Sequence, residues 1–274
     1  GQFGADIPLP VDTLHTAVLR SEHASAEIKK IDYEKAIKLK GVDLILTGED
    51  FCKISNPLLS VIRTDFKSWS CAVDRVNYVG EPVALVFAKN RYIAEDAIDL
   101  IDVEYSINNP ILDIRESLTT KTKFVHSKTN SNVVSDRYFE YGKPKKYFNG
   151  KNKEVEIEIK YPRNSCTPLE GFFVHANYNS DDDIFTVQSN FQGPFSLHSV
   201  LSRALKVDEG RLRLISIENS GGSFGIKQAI MPMIILTCLA SKISKKNIVW
   251  IEDRIEHLTA ASSATGRLTK IRAS

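Results

Sequence analysis

The chain has no excess of either charge: among 274 residues, 36 Lys and Arg stand against 34 Asp and Glu, a net of +2. That balance leaves no electrostatic footprint for nucleic acid or for an anionic membrane, so partners have to be sought in local sites. No uninterrupted apolar stretch reaches the length of a bilayer, and Gly1-Gln2-Phe3-Gly4-Ala5-Asp6 lacks the basic and apolar regions of a signal peptide. The cytoplasm is the expected compartment. Cysteine is scarce: Cys52, Cys71, Cys166 and Cys238 are scattered without a C-x-x-C pair, which excludes a zinc knuckle or an iron–sulfur ligand set and points to reduced thiols. The six histidines are equally dispersed and read as structural.

With 42% hydrophobic and 26% charged residues, the chain has the composition of a soluble globular protein, long enough for one large or two ordinary domains. Residues 1–113 read as one α+β unit. Strands are expected over 13–20 and 42–46, a short helix over 33–39, and a buried strand over 83–88, entered through the turn 78–82. An amphipathic helix over 92–101 carries Ile93, Ala94, Ala97, Ile98 and Ile101 on one face, and 102–105 returns as a strand. Residues 114–150 are rich in Lys, Ser, Thr and Asn and read as a surface linker. The patch Lys143, Lys145, Lys146, Lys151 and Lys153, which spans its end, reads as a solvated face.

A second domain is expected over 151–274. The alternation of Val155, Ile157, Ile159 and Tyr161 predicts a strand with one wet face. Further strands are expected over 172–178, 184–189 and 247–252, with a helix over 194–205. Residues 266–274 read as the opening of a strand with no partner in the chain, as in a piece of something longer.

The most informative stretch is 211–227. Leu212, Leu214 and Ile217 alternate as in a half-buried strand; Gly221, Gly222, Ser223, Phe224 and Gly225 follow, and 228–243 reads as a largely buried helix. Glycines permit positive φ and close approach of a ligand to the backbone, and a helix N-terminus offers unpaired N–H groups to an anion. Two readings stay open on these residues: a bound phosphate or oxo group, or a tight strand-to-helix turn with no ligand.

Several segments together resemble the large, molybdenum-binding subunit of the xanthine dehydrogenase and aldehyde oxidase family, which includes the aerobic carbon monoxide dehydrogenases. They are Asp6–Pro10, Arg20-Ser21-Glu22-His23-Ala24-Ser25-Ala26, Tyr78-Val79-Gly80-Glu81-Pro82-Val83-Ala84, and Ala94–Ala97 with Val103-Glu104-Tyr105. Further along come Pro168-Leu169-Glu170, Gln192 with Pro194, Gly221–Gly225, and Glu252 with Arg254, Glu256 and His257. The resemblance implies an α+β chain: an α/β-hammerhead domain over 1–113 and, after the linker, the N-terminal part of a molybdopterin cofactor-binding domain over 151–274. In that family the metal is held by the dithiolene of a pterin and no side chain ligates it, so the protein supplies hydrogen bonds and shape. By resemblance, Gln192 hydrogen-bonds an oxo ligand, and Gly221, Gly222, Ser223, Phe224 and Gly225 pass their backbone along the metal centre. The plain alternative for Gln192 is a helix-start residue beside Gly193-Pro194. Glu170 reads as a turn carboxylate in preference to an interior hydrogen-bonding residue.

The resemblance further implies oxidation of an aldehyde or heterocycle with water-derived oxygen in a full assembly. Its expected partners are the remaining half of the molybdopterin subunit, a 2Fe-2S iron–sulfur subunit, a FAD subunit and a small-molecule substrate. The family's general-base glutamate falls beyond residue 274, so the chain alone is expected to be inactive. The chain departs from the family at Ser223, Phe191 and Ile226, where the family commonly has small residues, and the last two add bulk near the expected cofactor. A non-catalytic assembly module is the rival reading. A phosphate loop at Gly221–Gly225 is disfavoured, because no G-K-[ST] follows.

Overall fold

The computed structural model describes residues 2–59, 66–126, 129–143, 146–148, 150, 153–262 and 265–274. Lys145 and Lys151 of the basic patch lie outside them; Lys143, Lys146 and Lys153 are exposed. The described residues divide into two compact units. The larger falls within Gly1–Ser60, Lys67–Pro110 and Cys166–Ser262, the smaller within Val61–Phe66, Ile111–Ser165 and Ser263–Ser274.

A seven-stranded sheet organises the larger unit. From one edge to the other it runs Leu212–Ser216, Ile184–Ser189, Phe173–Asn179, Ile248–Ile251, Leu14–Arg20, Pro82–Ala88 and Val42–Thr47. Four of these strands come from the C-terminal half of the chain and three from the N-terminal half. They join where Leu14 and His15 pair in parallel with Ile248 and Val249. This differs from the division at 113 and 150 read from the sequence. The linker's composition marks where the chain leaves the core, but strand pairing between distant segments is set by burial, which local periodicity does not report.

The apolar run Pro82–Ala88 is buried at every position and pairs antiparallel on both sides. The helix Met231–Ser244 packs on the same sheet, beginning with Pro232 in its first turn and ending at Lys245 in the left-handed conformation. Ile234, Ile235, Leu236 and Leu239 are each at most 1% exposed, and burying side chains of this size stabilises by about 1.5–3 kcal/mol each before entropy is subtracted. The continuous helical stretch Ile226–Ser244 is long and apolar enough to cross a membrane by length and composition, but 67% of its most apolar window is buried inside the protein, as in a core helix. The helix Arg91–Ile98 is started by Asn90, whose side chain accepts the Ile93 N–H at 3.0 Å. A three-stranded sheet, Arg75–Val76, Ala26–Asp32 and Asp102–Ile107, completes the N-terminal part. Sequence periodicity had not singled out Ala26–Asp32 or the helices Gly48–Ile54 and Arg254–Ala260.

The smaller unit holds the helix Ile114–Thr119 inside the expected linker, and a two-stranded ribbon. Arg267–Ala273 is not partnerless: it pairs antiparallel with Val155–Tyr161 over seven positions. The expectation of one wet face for Val155–Tyr161 is corrected, since all seven residues are exposed. A two-stranded ribbon leaves both of its faces uncovered unless a further layer packs on it.

Candidate cofactor site

The strands Ile184–Ser189 and Leu212–Ser216 run parallel, with Ser189 opposite Ser216. Their C-terminal ends therefore emerge side by side. Gln192 lies three residues past one end and the turn Gly221–Gly225 follows the other. The strand Phe173–Asn179 runs antiparallel to Ile184–Ser189, so its start brings Glu170 to the same end of the sheet. This is the place where open α/β sheets build ligand sites, because loops diverge there from a rigid base. Asn190 fixes the exit of its strand: its side-chain oxygen accepts the Phe173 N–H at 3.0 Å and its amide donates to the Gly171 carbonyl at 2.8 Å.

Gln192 is exposed, yet its amide is anchored. Its Oε1 accepts the hydroxyl of Ser223 and the backbone N–H of Gly225, the latter at 3.1 Å. The Ser223 hydroxyl oxygen in turn accepts the Lys227 N–H at 3.3 Å, and the Gln192 N–H donates to the Lys227 carbonyl at 3.3 Å. The turn is wound by Gly222 at φ 97°, Phe224 at φ 53° and Gly225 at φ 94°. Glycine suits two of these left-handed positions, while Phe224 holds one against the ordinary preference of an L-residue. The Phe224 ring is 75% exposed, and its carbonyl accepts the Cys166 thiol at 3.5 Å. A Cβ added at Gly225 would meet no atom within 4 Å, so open space lies against the backbone there.

Beneath the turn sits a buried ion pair that sequence reasoning missed. Lys227 is 0% exposed, and its ammonium donates to Glu170 Oε2 at 2.6 Å. Glu170 also accepts the N–H of Gly221 at 2.8 Å and that of Gly4 at 3.0 Å. Desolvation alone would raise the carboxyl; the lysine and the two N–H donors outweigh it and hold Glu170 below the ordinary carboxylate range. The reading of Glu170 as a turn carboxylate is thus corrected: it is an interior residue tying the turn to the segment before Phe173. The available signal was a lysine two positions past the last glycine, at the mouth of an apolar helix, where a charge has to find a partner.

Phe191 and Ile226, 7% and 5% exposed, belong to the main apolar core and turn away from the open side of the site. Glu252 accepts the Phe172 N–H at 2.9 Å and pairs with His257 Nδ1 at 2.7 Å, so these two residues brace the strand start behind the site. Arg254 donates to the carbonyls of Pro168 and Leu169 at 2.9 and 2.7 Å, and Arg20 reaches Glu256 at 2.6 Å. The resemblance motifs at 20–26, 168–170 and 252–257 therefore meet in space. The four cysteines are free, with Cys71 and Cys238 buried.

The profile of the molybdopterin cofactor-binding domain matches residues 125–274, and that of the a/b hammerhead domain of aldehyde oxidase and xanthine dehydrogenase matches residues 1–109. The chain belongs to this family of molybdopterin-binding proteins. It is 29% identical over 280 residues to subunit gamma of the 6-hydroxypseudooxynicotine dehydrogenase complex of Paenarthrobacter nicotinovorans, covering 98% of this chain and 34% of the relative. It is 31% identical over 280 residues to the nicotine 6-hydroxylase large subunit of the same organism, covering 94% and 34%. The crystal structure of quinoline 2-oxidoreductase from Pseudomonas putida 86 superposes with a TM-score of 0.88 at 28% identity, over 99% of this chain and 35% of that one. The chain spans about a third of the length of these relatives. Its α+β fold is a hammerhead domain followed by part of the molybdopterin-binding domain.

Proposed function

We propose that this chain forms one wall of the molybdopterin centre in the catalytic subunit of a molybdenum hydroxylase that oxidises an aldehyde or a heterocycle with water-derived oxygen. The observation that carries the reading is the Gln192 amide: with its carbonyl satisfied twice by the turn, its –NH2 is the end left to face a ligand. The open space against Gly225 and the left-handed turn let a group approach the backbone, so these residues fit the cofactor. Gln192 would donate to an oxo group, and the backbone of Gly221, Gly222, Ser223, Phe224 and Gly225 would line it. The molybdenum–pterin group, when bound, supplies the two-electron redox chemistry. A neutral amide orients and polarises its acceptor without titrating, and the Phe224 ring offers an apolar wall that keeps water from one side.

The assembly-module reading rested on bulk at Phe191 and Ile226; both side chains are in the core, so nothing observed favours it. Iron–sulfur and flavin centres are assigned to partner chains, together with the remaining half of the subunit, in the cytoplasm. Four scattered cysteines in this chain and the multi-subunit names of its relatives support that assignment. Nicotine and quinoline in the relatives' names support the heterocycle arm of the substrate class. Expressed in a host that makes molybdopterin, the 274-residue chain alone should carry substoichiometric molybdenum, and the chain co-expressed with the remaining subunit half should be fully loaded. Stoichiometric metal in the lone chain, or none in the pair, would overturn the reading.

A further inference from the structure

We infer that Ser223 is a positioning residue whose hydroxyl fixes which way the Gln192 amide faces. An exposed glutamine can turn its terminal amide over, exchanging oxygen for –NH2 at the same place. The inner atom lies 3.1 Å from the Gly225 backbone nitrogen, which can only donate, so that atom has to be the oxygen. Ser223 makes the choice firm. Its oxygen already accepts the Lys227 N–H, which leaves the hydroxyl proton to go to Gln192 Oε1. In the reversed orientation the –NH2 would point at the Gly225 N–H, donor against donor.

The anchor is itself built on something rigid. Lys227, whose peptide N–H holds the Ser223 hydroxyl, is fully buried and clamped by Glu170, and Glu170 in turn holds Gly221 at the start of the turn. A single hydroxyl therefore transmits the geometry of a buried ion pair to an exposed amide. A glycine at 223 would keep the turn and lose the transmission, which leaves Gly225 as the one remaining anchor of Oε1 among the described residues. The consequence for a bound oxo group rests on the proposed function; the anchor itself does not.

The test uses the cofactor-free 274-residue chain, labelled with 15N, and reads the Gln192 side-chain –NH2 resonances and their heteronuclear NOE, with exposed Gln228 as internal reference. In the wild type the Gln192 NOE should approach that of the backbone. In S223A and S223G the ratio of anchored to reversed orientation should fall about fivefold, the equivalent of one hydrogen bond, and the NOE should drop towards that of Gln228. S223T, which keeps the hydroxyl, should restore it. Two non-hydroxyl variants are included so that one misfolded protein does not decide the matter, and backbone amide dispersion reports the fold of each. Wild-type NOE values in both S223A and S223G, or loss in S223T equal to that in S223A, would overturn the inference. Because no cofactor is present, failure here leaves the proposed function to its own molybdenum measurement.

Discussion

Glu170 and Glu81 have the same small solvent exposure, 7% each, yet their carboxyls are pushed in opposite directions. Burial raises Glu81 to about 7; the Asn77 backbone N–H, at 2.5 Å, and the charge of Arg75 offset it only in part. Glu170 experiences burial too, but Lys227 and two backbone donors overcome it. Two things differ: Glu81 is the more strongly desolvated of the two, and among the described residues it makes no ion pair, whereas Glu170 has the Lys227 cation at 2.6 Å. The lesson is that burial alone does not set the state of a carboxyl. The site end of the sheet carries a fixed charge pair because a cation was folded in beside the acid, while the turn before Pro82 carries an acid that can be neutral near pH 7.

The largest effect should come from breaking the pair at Glu170. Lys227→Met leaves a carboxylate buried without its cation and should destabilise by about 3–5 kcal/mol, read from the urea denaturation midpoint. The double change Glu170→Gln with Lys227→Met should recover much of that loss; equal losses in the single and double variants would mean that packing, not charge, is at stake.

Next in size is the pH dependence from Glu81. Its folded value is raised above the ordinary 4.5, so its contribution is full below about pH 4.5 and is lost as the pH rises through about 7. The shift corresponds to roughly 3 kcal/mol at most. Glu81→Gln should flatten the fall in stability between pH 5 and 8, whereas Glu170, held low, contributes in the opposite sense and loses its share only as the solution is acidified. An unchanged slope in Glu81→Gln would remove the contrast.

Smaller again is Gly222→Ala, which puts a Cβ 3.1 Å from the Phe224 ring at φ 97° and should cost about 1–2 kcal/mol without touching either carboxyl. The smallest effect is expected where a cation is present and burial is not. Glu156 in the ribbon pairs with Lys270 at 2.9 Å, both exposed, and Lys270→Ala should leave the denaturation midpoint unchanged.

The elements that could be read from the sequence are those whose pattern is local. Pro82–Ala88, Val155–Tyr161, Ile184–Ser189 and Pro194–Leu205 follow from periodicity and turn residues, and lie within a residue or so of expectation. The union of Leu14–Arg20 with Ile248–Ile251 could not be read that way, because a parallel pairing across more than 200 residues leaves no periodic mark. At the site, the glycines and Gln192 were visible as residue types, but what connects them was not. Nothing in Ser223 says that its hydroxyl points at Gln192, and nothing in Glu170 alone distinguishes a turn acid from a buried one. That distinction depended on Lys227, whose burial is a property of the assembled core.

The central claim is that Gln192, held by the turn, presents a fixed donor to the molybdenum centre. The most direct test compares wild type and Gln192→Ala in the assembled enzyme, with kcat normalised to molybdenum content. The account predicts a fall in kcat of roughly a hundredfold with the metal retained, the size expected for loss of one oriented donor. Full kcat at equal molybdenum content would contradict it.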